Sequence, residues 1–240
     1  MKLSKRVQIP KLLLLFLMFW LNAPGISYAQ ISGHNAISGT ISIMASQQSS
    51  GNSQAGNRYY QYFHQRTGNA RHGTNHPASP FSKVVVYLTP VNFQVVVPPV
   101  KPHPKLIQKN IAFEPAVLPI TVHTTVDIIN EDHFYHNVFS LSPLARFDIG
   151  RRPTGYVYPQ QFDKVGVVQV FCDIHSNMTA YILVLDTPFY TKPDSTGNYM
   201  LKNLPDGEYQ IHFYSPDTEQ KILSLTLSGS ESKMLNEKLN

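Results

Sequence analysis

Residues 167 to 178 read Val-Val-Gln-Val-Phe-Cys-Asp-Ile-His-Ser-Asn-Met. The first five are mostly apolar and β-branched, which is typical of a strand. Cys172 follows this run directly, and His175 and Met178 come next at successive intervals of three residues. A cysteine at the end of a strand, followed by a tight loop, brings a thiolate, an imidazole and a thioether to one point. We therefore expect a metal site on an all-β framework.

A second imidazole comes from an earlier segment, His136-Asn137-Val138-Phe139-Ser140. His136 precedes Cys172 by 36 residues, so a distant part of the chain would close the site. Two imidazoles and a thiolate with a weak axial thioether are the ligands of a blue-copper centre, and the soft sulfur ligands favour copper over harder ions. His133 is the alternative to His136, either as the ligand or as a group that contacts the ligands.

These motifs resemble those of the cupredoxins, and the short loop from Cys172 to Met178 is most similar to the amicyanin type. From about residue 107 to residue 214, the chain also resembles bacterial periplasmic proteins often labelled methylamine utilization proteins. Those proteins look like a cupredoxin-like domain joined to a carboxypeptidase-regulatory-like β-sandwich. The matching elements are His136 to Ser140, Phe162-Asp163-Lys164-Val165-Gly166, Cys172-x-Ile174-His175, Tyr181-Ile182-Leu183-Val184 and Gly197 to Tyr209.

The resemblance implies a specific set of site residues. His136, Cys172, His175 and Met178 would hold one type 1 copper ion. Asn137 would act as a neighbour of these ligands, with a hydrogen bond across to the Cys172 loop. The resemblance further implies a periplasmic electron carrier, whose redox partner protein the sequence does not name.

The amino terminus has the features of a secretory signal peptide. Residues 1 to 11 carry four basic residues and no acidic residue, residues 12 to 21 are continuously apolar, and Ser27-Tyr28-Ala29 offers a cleavage site. We expect cleavage after Ala29 and a periplasmic or secreted protein. The apolar run is too short to span a bilayer comfortably, so no stable membrane span is expected after cleavage, although an uncleaved anchor is the alternative.

Charge and cysteine content agree with an exported metal protein. The formal net charge is +5, but removal of the leader leaves 16 basic and 15 acidic residues, a net charge of +1. With no basic patch or recognition motif, nucleic-acid binding is not expected. The single cysteine cannot form an intramolecular disulfide, and ligation to a metal accounts for a free thiol in an exported protein.

The mature chain is predicted to be all-β, because short alternating or β-branched runs recur between Pro, Gly, Asn and Asp. Their number suggests two units, a cupredoxin-like Greek-key sandwich over residues 105–186 and a small carboxypeptidase-regulatory-like (transthyretin-like) sandwich over residues 187–240. The proline-rich run of residues 97–104 is a boundary. Strands of residues 30–97 are expected to complete the second sandwich, so that the copper domain is an insertion. The alternative places these strands in the cupredoxin barrel.

Residues 47–80 form a polar insertion rich in Gln, Ser, Asn and Gly, and we expect it to be disordered. It carries His64, His72 and His76. A solvated loop is the favoured interpretation, and a role in loading copper is the alternative.

Three functions remain open from the sequence. The first is outer-sphere electron transfer by a blue copper protein without enzyme activity. The second is copper binding or trafficking without an electron-shuttle role. The third is a structural pair of β-sandwiches with a vestigial metal site.

Overall fold

The computed structural model of this 240-residue chain describes residues 28–29, 33–43 and 79–240. The predicted leader (residues 1–29) and the predicted polar insertion (residues 47–80) lie almost wholly outside these described residues, so both stay predictions. Within the described residues the chain is all-β, as its sequence predicts, with strands and one 3-10 helix. None of those residues forms a helix long and apolar enough to cross a membrane.

The strands fall into three groups along the chain. The first group precedes the proline-rich run and consists of β1 (Tyr28–Ala29), β2 (Asn35–Ile43), β3 (Val85–Pro90) and β4 (Gln94–Val95), with the 3-10 helix at Pro80–Lys83. The second group consists of β5 (Lys105–Lys109), β6 (Ala112–Glu114), β7 (Val117–Thr121), β8 (Thr124–Asn130), β9 (Phe139–Ser140), β10 (Phe147–Asp148), β11 (Val157–Phe162), β12 (Gly166–Phe171) and β13 (Thr179–Leu185). The third group consists of β14 (Tyr190–Thr191), β15 (Asn198–Leu204), β16 (Gly207–Tyr214), β17 (Lys221–Leu227), β18 (Ser232–Met234) and β19 (Glu237–Leu239).

The second group forms a sandwich of two sheets. Their strand orders are β10-β9-β12-β13-β7 and β11-β8-β5-β6, with β7 parallel to β13 and β5 parallel to β8. Alternate residues of each strand point inward, as in β8, where Val126 and Ile128 are buried and the residues between them are less so. The inward side chains form one apolar cluster that includes Phe162, Val170 and Cys172. Cys172 is therefore part of the core of this sandwich.

Strands from both ends of the chain form a second sandwich. Its sheets have the orders β14-β3-β16-β17 and β15-β2-β18, and β19 continues the pairing of β18 along β2. The early strands β2 and β3 are thus hydrogen-bonded to the late strands β15 and β16. Ile37 of β2, Leu88 of β3 and Phe213 of β16 share one core cluster. An inserted domain between the early and late strands would require this pairing. The domain boundaries themselves stay predictions.

The two sandwiches meet along β13 and β7. A small cluster joins Leu183 and Leu185 of β13 to Val85 and Tyr214 of the second sandwich. Nearby, Lys192 Nζ donates a hydrogen bond to the carbonyl oxygen of Val117 over 2.9 Å. This interface lies towards the end of β13, whereas the loop of Cys172 to Met178 precedes its start.

Candidate metal centre

The pairing of β9 with β12 brings His136 towards Cys172. Phe139 of β9 is the register partner of Phe171 in β12, and Cys172 follows β12 directly. His136 is fixed further by an isolated antiparallel bridge to Arg152, in which each backbone amide donates to the other's carbonyl oxygen over 3.2 and 2.6 Å. Both segments are therefore held by backbone hydrogen bonds that do not depend on a metal.

The loop between Cys172 and Met178 turns tightly back on itself. The Met178 amide donates to the carbonyl oxygen of His175 over 3.0 Å, and the Cys172 amide donates to the carbonyl oxygen of Met178 over 3.3 Å. These two bonds close the loop and place the His175 ring beside Cys172. The intervals of three residues from Cys172 to His175 and from His175 to Met178 thus fit within this one hydrogen-bonded loop.

Three donor atoms converge at this point. Cys172 Sγ lies 3.6 Å from His136 Nδ1 and 3.8 Å from His175 Nδ1, and the two Nδ1 atoms are 3.1 Å apart. Donors that share one ion at about 2.0 Å for nitrogen and 2.3 Å for sulfur are separated by roughly 3.3–3.8 Å. The two sulfur–nitrogen separations lie within this range and the Nδ1–Nδ1 separation lies slightly below it, so the three atoms are spaced to hold one ion between them. Among the described residues, these three form the candidate metal-binding group of His, Cys and acidic side chains.

Burial and hydrogen bonding prepare the thiol for ligation. Burial acts to raise the pKa of Cys172, but its hydrogen bond with His136 and the hydrogen bonds from the backbone amides of Asn137, His175 and Ile174 outweigh burial and lower the pKa. A lower pKa favours the thiolate, which is the form that binds metals. The sulfur therefore lies in a pocket where three backbone N–H groups are directed at its negative charge.

The two histidines have opposite shifts. Burial acts to lower the pKa of His136, but its hydrogen bonds with Cys172 and Asp132 outweigh burial and raise it. Burial, followed by repulsion from His136, lowers the pKa of His175. His175 is consequently favoured as a neutral imidazole, which is the form that ligates a metal.

Met178 is almost wholly buried, with an exposed fraction of 1 %. Its side chain belongs to the same apolar cluster as Cys172. The loop hydrogen bonds place its backbone opposite Cys172. Coordination by its thioether stays a prediction.

Asn137 is buried beside the thiol. Its backbone amide is one of the groups that lower the pKa of Cys172, and its carbonyl oxygen accepts a hydrogen bond from Gln108 Nε2 over 3.2 Å. Within the described residues, its side-chain Oδ1 atom has no hydrogen-bond partner. The structure thus shows a link from Asn137 to the Cys172 loop through the backbone.

The sequence reasoning missed Asp132. This carboxylate is 8 % exposed, and its Oδ2 atom lies 2.8 Å from the Nε2 atom of His136. The available signal was the spacing, since an acidic residue stands four positions before the proposed ligand. Nothing else in the linear sequence distinguishes Asp132 from an ordinary turn residue after β8.

The other histidines of the described residues lie apart from this group. His133 is exposed although it is close in sequence to His136. His103 and His123 are paired with Asp127 and Asp163 at 3.0 and 2.9 Å. His34 is exposed, and His212 stacks on a tyrosine ring in the second sandwich. His64, His72 and His76 lie outside the described residues.

Comparison with known proteins yields structural neighbours only. No protein-family model matches the chain, and no curated protein matches it. A purple cupredoxin from Nitrosopumilus maritimus aligns with a TM-score of 0.31 and 23 % identity over 34 % of this chain and 99 % of its own. A Cu-containing nitrite reductase from Thermus scotoductus aligns with a TM-score of 0.34 and 28 % identity over 40 % of this chain and 25 % of its own.

An amicyanin mutant in the oxidized state is a third neighbour. It aligns with a TM-score of 0.34 and 20 % identity, over 36 % of this chain and 85 % of its own. The matches are therefore to cupredoxins and to a protein that contains copper, and each covers less than half of this chain.

Proposed function

We propose that this chain is a type 1 copper protein that transfers single electrons. His136, Cys172 and His175 would hold one copper ion, and Met178 would supply a weak fourth ligand. The observation that carries the proposal is the convergence of one sulfur and two Nδ1 atoms at separations of 3.1–3.8 Å. Two imidazoles and a thiolate with an axial thioether are the ligand set of a blue-copper electron-transfer site.

The protein's part in this chemistry is to hold the ligands still. A bound copper ion would accept and release one electron as it changed between its two oxidation states. His136 is held on both sides of its backbone by Arg152, and Cys172 is held by the closed loop and by the amides around its sulfur. Ligands that barely move between the two oxidation states keep the reorganisation energy of electron transfer low. With four protein ligands no position is left for a substrate, so we propose a carrier and not an enzyme.

His175 is the ligand through which electrons would leave the site. His136 is 0 % exposed and Cys172 is 4 % exposed, whereas His175 is only partly buried. The Phe134 ring lies 5.1 Å from the His136 ring and 5.7 Å from the His175 ring, and Phe134 and Tyr135 are both exposed. We propose that a redox partner protein docks at the surface where the exposed Phe134 ring flanks the His175 ring.

The finer assignments belong to the same proposal. Export to the periplasm or to the outside of the cell depends on the leader predicted over residues 1–29. The resemblance to methylamine utilization proteins implies a copper domain over residues 105–186 inserted into a carboxypeptidase-regulatory-like sandwich. The pairing of β2 with β15 and of β3 with β16 supports the inserted arrangement. Neither nucleic acid nor a membrane span is part of the proposed function.

The test is the visible spectrum of the purified protein after Cu(II) is added and excess metal removed. The full chain is expressed in a host that exports proteins, and the first residue of the purified protein is determined. Gln30 as the first residue would agree with the predicted cleavage after Ala29. We expect an intense blue charge-transfer band and reversible one-electron reduction. His136→Ala should lose the band and the copper, whereas the matched control His133→Ala should keep both. Equal loss in the two variants, or a wild-type protein that retains no copper, would contradict the proposal.

A specific observation keeps copper trafficking as a second candidate. Ser176 and Asn177 of the ligand loop are exposed, so solvent and small chelators can approach His175 from this side. A trafficking protein would hold Cu(I) in preference to Cu(II), remain colourless and exchange its copper rapidly with a Cu(I) chelator. Retention of Cu(II) with a blue band and slow exchange would exclude that role.

A further inference from the structure

The His136 ring has a different partner on each nitrogen. Its Nδ1 atom faces Cys172 and His175, at 3.6 and 3.1 Å. Its Nε2 atom lies 2.8 Å from Asp132 Oδ2 on the other side of the ring. Because the carboxylate can only accept, the hydrogen between them belongs to Nε2. The lone pair of the neutral ring is then on Nδ1, where it faces Cys172 Sγ and His175 Nδ1.

The carboxylate of Asp132 is itself held in place. Its Oδ1 atom accepts a hydrogen bond from the Asn110 amide over 2.7 Å, and its Oδ2 atom accepts one from the Ile111 amide over 3.0 Å. Asn110 and Ile111 form the turn between β5 and β6, where both have positive φ angles of 53° and 59°. The hydroxyl of Thr154 also donates to the carbonyl oxygen of Asp132. Asp132 therefore cannot turn towards the metal position and serves as a fixed partner behind the ring.

We propose that Asp132 is a positioning residue that fixes the Nε2-protonated form of His136 and stabilises the higher oxidation state of the bound ion. This inference rests on the proposed function, because it concerns the same copper site. A hydrogen-bonded carboxylate makes the ring a stronger donor and fixes its orientation. The Asp132 carboxylate and the Cys172 thiolate together place two negative charges near the buried position of the proposed ion. The more positively charged Cu(II) gains more from such charges than Cu(I) does.

The charge can be removed while the shape is kept. In Asp132→Asn, an amide oxygen at the Oδ2 position can still accept from His136 Nε2 and the Ile111 amide, whereas the Asn110 amide loses its acceptor and the negative charge is gone. The matched control is Asp173→Asn, because Asp173 adjoins Cys172 in the chain, is exposed and lies 3.8 Å from Arg151. If only the presence of a nearby negative charge mattered, the two variants would have equal effects. If Asp132 positions His136, only Asp132→Asn should change the copper affinities.

Affinities for Cu(II) and Cu(I) are measured separately by competition with chelators. We expect Asp132→Asn to lower the Cu(II) affinity by about 10–100-fold, the usual effect of losing an outer partner of a ligating histidine. The Cu(I) affinity should fall less. Each tenfold loss of Cu(II) affinity relative to Cu(I) affinity raises the reduction potential by about 59 mV. Asp173→Asn should change either affinity by less than about fivefold, because its charge is screened by solvent. An unchanged ratio in Asp132→Asn would overturn the proposal.

A second measurement needs neither the variant nor the metal. In the metal-free wild-type protein, at an alkaline pH at which His136 is neutral, nitrogen NMR of the ring should show the proton on Nε2. A proton on Nδ1 would overturn the inference even if Asp132→Asn did not fold. If the wild-type protein held no copper, the proposed function would fail, and this NMR result would still decide whether His136 has the Nε2-protonated form that Asp132 is proposed to fix.

Discussion

The Sγ atom of Cys172 lies 3.6 Å from the Nδ1 atom of His136, although 36 residues separate them in the chain. The register of β9 and β12 produces this proximity, since Phe139 stands opposite Phe171. The two rings also contact each other, with centroids 5.6 Å apart. The site is therefore closed by strand pairing before any metal enters it, and its properties should respond to single substitutions in defined ways.

Replacement of the thiol should remove the colour of the copper-loaded protein. In Cys172→Ser the hydroxyl cannot become an anion near neutral pH, so the charge-transfer band should be absent and Cu(II) should be lost during removal of excess metal. Because Cys172 is the only cysteine, a thiol reagent should titrate one group in the metal-free wild-type protein and none in the loaded protein. A blue band that persists in Cys172→Ser would rule out ligation by the Cys172 thiolate.

Met178→Leu separates packing from ligation. The two side chains have similar volumes, so we expect the free energy of unfolding of the metal-free protein to change by less than about 1.5 kcal/mol. The visible spectrum and reduction potential should change, because the thioether is lost. Met200→Leu is the control, since Met200 is 50 % exposed and lies on β15 in the other sandwich. Identical spectra for wild type and Met178→Leu would show that Met178 contributes only to the core.

His212 should make the stability of the protein depend on pH. Its ring stacks on Tyr87 with centroids 4.4 Å apart, and burial lowers its pKa although Asp186 acts in the opposite direction. The unfolded chain, with a pKa of about 6.5 for this group, then binds more protons than the folded chain below that pH. The contribution of neutral His212 is therefore present above pH 6.5 and is lost as the pH falls towards its lower folded pKa.

Urea unfolding between pH 5 and pH 8 checks this dependence. The difference in unfolding free energy between wild type and His212→Gln should shrink as the pH falls through this window. A ring titration of His212 by NMR should give a midpoint below about 6.5. A midpoint at or above that value would contradict the predicted direction.

Gly39→Ala should destabilise the second sandwich. A Cβ atom at Gly39 would stand 1.7 Å from the carbonyl oxygen of Leu235, which belongs to the segment between β18 and β19. The backbone cannot yield as a flexible side chain does, so we expect a loss of at least about 1–3 kcal/mol in unfolding free energy, as for other overpacked sites. Ser42→Ala, an exposed position on the same strand, should change it by less than about 0.5 kcal/mol. Equal melting temperatures for the two variants would show that the carboxy-terminal strands are not packed on β2.

Some strands could not be predicted from the sequence. The strand β11 has Pro159 at its centre and polar residues around it, which is unusual within a sheet. It is tolerated because β11 is at the edge of its sheet, where one side needs no hydrogen-bond donors. The short strands β18 and β19 pair in parallel with β2, more than 190 residues away in the chain. No local pattern contains the information for such a distant pairing.

The sequence by itself determined the all-β character of the described residues and singled out His136, Cys172 and His175. Alternation of apolar residues and the ligand chemistry of a side chain are local properties, so they can be read from short segments. Only the tertiary structure decided that the Nδ1 atom of His136 faces the sulfur, that Asp132 stands behind that ring, and that β2 and β3 join the last strands of the chain. These relationships depend on long-range strand register and on side-chain orientation, which arise when distant segments pack together.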